Sequence, residues 1–128
     1  MNYYYSKKLT GHSFNEIIEK LTTALKKQGF GILTEINVRD TLKQKLDEDF
    51  RPYIILGACN PPYAYRALQA EDKIGTMLPC NVIVQQLDNS IEVAAVSPLA
   101  SMQAVSNDEL KDIAVEIEEK LRSVIDEL

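Results

Sequence analysis

Apolar residues recur along this chain with two periods, and their alternation divides it into nine segments. Residues 2–9, rich in tyrosine, read as an opening strand. Phe14, Ile17, Ile18, Leu21, Ala24 and Leu25 fall on one helical face. Ser13-Phe14-Asn15-Glu16 before that face matches a capping box, in which hydroxyl and carboxylate satisfy two orphan amides. Gly29 is the expected stop. From Gly31 to Val38, Ile32, Thr34, Ile36 and Val38 alternate as in a half-buried strand, and a short polar helix is expected over 40–46. The run 53–59, Tyr-Ile-Ile-Leu-Gly-Ala-Cys, is apolar on both parities. It reads as a strand covered on both faces, by its own chain or by a partner subunit.

Asn60 then offers an N-cap, with Pro61 in a first turn that needs no amide there. Ala64, Ala67 and Leu68 give the helix that follows a narrow face of mostly small residues. Runs 78–87 and 91–96, joined by Asp88-Asn89-Ser90, argue for a hairpin. Ser106-Asn107-Asp108-Glu109 resembles a second capping box. It opens a helix with the stripe Leu110, Ile113, Ala114, Ile117, Leu121, Val124 and Ile125. The order β-α-β-(α)-β-α-β-β-α predicts an α+β fold of two layers, a mixed or mainly antiparallel sheet packed against helices. Residues 1–128 are expected to form a single domain, with neither repeat nor linker.

Composition narrows the function classes. At 45% apolar content the chain can bury a core without staples, and two cysteines make no disulfide framework. Neither a signal peptide nor a run near the ~20 apolar residues of a membrane span is evident, so a cytoplasmic protein with reduced thiols and no membrane contact is expected. Residues 107–128 carry eight acids against three bases, the whole of the net charge of −5. The rest is neutral overall and has no basic stripe, which points away from nucleic acid. The acidic run reads as a solvated helix face.

The chemistry is concentrated between Tyr53 and Cys80. Cys59 ends a strand just before a helix N-terminus, where positive partial charge favours a thiolate. Cys80 follows Leu78-Pro79 and opens the next strand. Two antiparallel neighbours would bring both sulfurs to one sheet edge, as a dithiol, as soft metal ligands or as core. A zinc site would need His12, the only histidine, and a carboxylate besides Cys59 and Cys80. His12 reads more readily as a solvated loop residue, and no relay signature surrounds it. Pro61 and Pro62 remove donors that a phosphate would need. Tyr63, Tyr65 and Arg66 could line a pocket for a planar or acidic ligand, or a subunit contact.

Three blocks carry a resemblance: Gly29-Phe30-Gly31 with Thr34-Glu35-Ile36; Leu56-Gly57-Ala58-Cys59-Asn60-Pro61 with Ala64 and Leu68; and Gly75 with Leu78-Pro79-Cys80. Over nearly its whole length the chain resembles the family catalogued as domain of unknown function 302. The resemblance implies a compact α+β fold and a homodimer, and marks Cys59, Asn60, Pro61, Leu78, Pro79 and Cys80 as the candidate site; it supplies no reaction. Asn37 departs from it, where aspartate is common in the family. The leading expectation is a non-catalytic homodimeric module binding a small ligand or metal ion through Cys59, Asn60, Cys80, Tyr63 and Arg66. No cofactor is indicated. The alternatives are a thiol-dependent or redox enzyme using Cys59, and a protein interaction module.

Overall fold

The computed structural model describes residues 2–128. Five strands form one open sheet: β1 (Tyr4–Leu9), β2 (Gly31–Asn37), β3 (Tyr53–Cys59), β4 (Cys80–Gln86) and β5 (Ile91–Val96). Their spatial order is β1-β5-β4-β3-β2 and every neighbouring pair is antiparallel. The expected α+β architecture holds, and the sheet is wholly antiparallel. The helices are α1 (Phe14–Lys27), α2 (Val38–Leu46), α3 (Pro61–Ala70), α4 (Pro98–Ser101) and α5 (Asp108–Glu127), with a 3₁₀ turn over Asp72–Met77.

Strand alternation places Ile54, Leu56, Val82, Val84, Val93 and Ala95 on one sheet face, all buried. Onto that face pack the stripes of α1 and α5, whose expected apolar positions are buried from Leu110 through Ile125. At ~1.5 Å per residue α5 runs ~30 Å across the sheet. Tyr5 on β1 ties to its far end, the phenol donating to Asp126 Oδ1 at 2.6 Å.

Local signals behave unevenly. The capping box of α1 forms in both directions, Glu16 N to Ser13 Oγ and Ser13 N to Glu16 Oε1. The same helix ends in a Schellman turn: Phe30 N reaches Leu25 O, Gly29 N reaches Lys26 O, and Gly29 takes φ +87°, which a side chain would resist. The second capping box does not form. Asn107 caps α5 instead, accepting from Leu110 N while its Nδ2 donates to Ala70 O at 2.9 Å, so the cap also fastens α3 to α5. Helix α2 starts at Val38 rather than residue 40, because Asn37 Oδ1 accepts from Asp40 N; an aspartate at this position would serve equally. Not foreseen were the 3₁₀ turn, which buries Ile74, and α4, capped by Ser97.

The opposite sheet face has no helix over it. Paired residues there form three rows across the strands. Lys8, Glu92, Gln85 and Tyr53 make a polar one, and Ala94, Ile83, Ile55 and Ile36 an apolar ladder spanning four strands. Beside the ladder, Tyr4 opposes Val96 and Gly57 opposes both Asn81 and Thr34. The double-parity apolar run of β3 thus has one face in the core and the other on this bare surface.

Candidate functional site

Where β2, β3 and β4 end, the sheet, α3 and the 3₁₀ turn stand apart and enclose a cavity of about 290 Å³. Its inner wall is Phe30, Ala58, Met102 and Ile117, contributed by four separate parts of the chain. Ala64 and Ala67 of α3 form one side, and their smallness is what leaves the space: the narrow face of mostly small residues is a cavity wall. Leu33 and Leu68, 66% and 44% exposed, stand at the rim. Both cysteines line it, and Asn60 is the only lining residue with a polar side chain beyond a thiol.

The two sulfurs do not form the expected pair. Cys80 is paired with Ala58 and shares its helix-facing side, whereas Cys59 lies one residue further and projects to the other side of the sheet. Opposite faces preclude a shared coordination shell at the ~2.3 Å that zinc requires. Burial pushes the Cys80 thiol up to about 11, with the neighbouring Cys59 adding to the rise. At neutral pH Cys80 is therefore a protonated, apolar wall residue.

His12 does not join them. It stands at the start of α1, 3.7 Å from Glu16, along a polar groove with Lys20, Lys27 and Glu127. Among the described residues no group of three or more histidines, cysteines and acids is placed to hold a metal ion. Tyr63 and Arg66 also turn elsewhere. Arg66 pairs with Glu116 of α5 at 3.3 Å and lies 5.5 Å from the Tyr63 ring centre, while Lys120 approaches that ring from α5. These residues clamp α3 to α5 outside the cavity, and Tyr65 is exposed.

Asn60 behaves differently from the sequence expectation. It occupies the N-cap position of α3, yet its side chain makes no capping bond. Pro61 and Pro62 leave few amides to cap, and Nδ2 instead donates to Gln28 O at 3.0 Å, 32 residues away. Gly29 makes room for this: a Cβ there would sit 3.1 Å from Asn60 Nδ2. Asn60 thus locks the end of α1 to the end of β3 from within the cavity wall.

Next to the cavity, Gly57 is enclosed on the outer sheet face. A Cβ at this position would run into Thr34 Oγ1 and would lie 2.7 Å from Pro79 Cγ. Glycine here lets the Leu78-Pro79 segment lie flat on β3 and delivers Cys80 to its place in the wall.

One open antiparallel sheet, helices on a single face and an apolar cavity at the strand ends define a small two-layer α+β domain. The chain belongs to the family described as Domain of unknown function DUF302, whose model matches residues 5–128. It is similar to a solved structure, the crystal structure of uncharacterized conserved protein DUF302 from Bacillus stearothermophilus, with 32% identity and a TM-score of 0.91. The match covers 98% of this chain and 97% of that one. No curated protein matches the chain. No described helix is long and apolar enough to cross a membrane.

Of the six residues that the family resemblance marked, Cys59, Asn60, Leu78, Pro79 and Cys80 line this cavity and Pro61 does not. Phe30, Met102 and Ile117 were missed as wall residues; Ile117 reads in the sequence as part of the terminal helix's apolar stripe, and only the convergence of the three marks them.

Proposed function

We propose that this protein is a homodimeric module that binds a small apolar molecule in the cavity between α3 and the ends of β2–β4. The observation that carries this reading is the cavity itself: a wall almost wholly of carbon and sulfur, with Asn60 its one polar side chain, open at a rim of exposed leucines. A wall of this kind gains from displacing water and offers no ion pair or hydrated metal a counterpart. The protonated state of Cys80 favours an apolar ligand over a metal ion and over thiol chemistry at that residue.

The dimer rests on the bare sheet face. Five strands ~4.8 Å apart span about 19 Å, and six residues of strand about 20 Å. This is about 380 Å² before side-chain relief, against the ~800 Å² per partner of a standard interface, so a stable dimer also draws on contacts beyond the strands. The Ala94-Ile83-Ile55-Ile36 ladder gives that face an apolar centre with a polar row alongside. A second copy related by a two-fold axis buries ladder against ladder.

Native mass spectrometry of protein purified without added ligand tests both parts. The expected result is a dimer, with a retained small molecule absent from an Ala67→Phe variant in which the cavity is filled. A clean monomer in wild type, confirmed by sedimentation at low micromolar concentration, contradicts the dimer. Identical spectra for both proteins, together with no binding of added apolar probes, contradict the cavity's role.

A further inference from the structure

Asn60 is 8% exposed and lines the cavity, yet only half of its side chain is used. Its Nδ2 donates to the Gln28 carbonyl, and because a carbonyl accepts and never donates, this bond fixes which branch is nitrogen. Oδ1, the other branch, receives no hydrogen bond from any described residue; the cap bond it would normally accept from the start of α3 is not made. Among the described residues no fully enclosed side-chain nitrogen or oxygen lacks a partner, so Oδ1 must touch accessible space. Asn60 lines the cavity and carries the only side-chain oxygen in its wall, so the cavity is where this acceptor can meet a ligand. An unmet acceptor at the edge of an apolar chamber attracts a donor strongly because little water competes there.

Resting on the ligand-binding reading above, we infer that the ligand pairs an apolar body with a single uncharged hydrogen-bond donor, a hydroxyl or N–H, received by Asn60 Oδ1. The wall supplies no charged side chain, which excludes ammonium and carboxylate groups from the buried end of the ligand. Size follows from volume: a cavity of ~150 Å³ holds benzene, so one near twice that volume takes roughly ten to twelve heavy atoms. A bicyclic phenol or a medium-chain alcohol has this chemistry.

The matched probes 2-naphthol and 2-fluoronaphthalene share size and shape, and only the first donates. Titrated into wild type by calorimetry or fluorescence, naphthol is expected to bind roughly three- to tenfold more tightly. In Asn60→Leu the preference should vanish while 2-fluoronaphthalene still binds, which shows the chamber intact; Asn60→Ala serves if the leucine variant does not fold. Equal affinities in wild type overturn the donor inference and leave the apolar cavity standing. A preference that survives in the Asn60 variant overturns the assignment to Oδ1. No binding of either probe overturns both this inference and the reading on which it rests.

Discussion

Gly57→Ala is the sharpest local test of the packing that builds the cavity wall. Gly57 has ordinary strand backbone, so alanine itself should gain about 0.5–1 kcal/mol by reducing chain entropy. Against that gain stands the new methyl, 2.7 Å from the Pro79 ring and in collision with Thr34 Oγ1. Thr34 is exposed and can rotate away, but Pro79 is a ring closed on the backbone beside the cavity. Overpacking costs about 1–3 kcal/mol, and two clashes at once, one against a ring, place this change at about 2–3 kcal/mol; less a gain of about 1 kcal/mol, the net loss is about 1–2 kcal/mol. For 128 residues the unfolding entropy is about 270 cal/mol/K, so Tm should fall by about 4–8 °C in a thermal melt. Adding Thr34→Ala should recover less than half of the fall, because Pro79 remains. A Gly57→Ala protein as stable as wild type, or more so, would refute the close approach of β3 and the Leu78-Pro79 segment.

Other perturbations separate strong contacts from weak ones. Glu118, buried on α5, accepts from Ser97 Oγ at 2.7 Å, Leu99 N at 3.3 Å and Arg122 Nε at 3.1 Å; Glu118→Ala should cost on the order of 2 kcal/mol by denaturant melt, and a loss under half of that would show these bonds to be idle. Arg66→Ala, removing a half-exposed ion pair with Glu116, should cost less than about 1 kcal/mol by the same melt, and leave probe binding unchanged, since Arg66 lies outside the cavity. Cys80, raised to about 11 by burial, keeps its proton in the folded chain while the unfolded thiol loses it near its ordinary value, so its contribution is whole below pH ~8.5 and is lost as pH rises to about 11. Stability of wild type should fall over that window more steeply than that of Cys80→Ala, and parallel curves would contradict the burial of the thiol.

Long periodic segments were legible in the sequence because their signal is repeated. Seven apolar positions on α5 vote together for one answer and all are buried as read, whereas the alternation along β2 has fewer votes and leaves Thr34 and Ile36 exposed on an edge strand. Single-residue signals failed where a distant partner outbid the local one. Asn60 looks like a cap, yet a carbonyl 32 residues away takes its amide. Ser106 looks like a capping-box start, yet Asn107 wins because it can also hold the end of α3. Helix α4 has four residues, too few for a period, although Ser97-Pro98 carried the cap-and-proline signature of its start. For the site, the punctuation around Cys59 and Cys80 lies at the end of the sheet where the cavity opens, but the two thiols are not the pair that the spacing suggested. Spacing along the chain says that two thiols can meet; only the pairing of Cys80 with Ala58 shows that they leave on opposite faces. The cavity was hinted at by the small residues of α3, but an absence of side chain reads equally as close packing until the facing elements are known.

Methyl-resolved NMR of the uniformly labelled protein, titrated with 2-naphthol, tests the ligand-binding cavity most directly, since methyl groups surround it on every side. Saturable shifts should concentrate on Met102, Ile117, Leu68 and Ala67, with Ile83 and Ile55 on the bare sheet face unmoved. Shifts centred on Ile83 and Ile55 instead, or none at Met102 and Ile117 at millimolar probe, would contradict it.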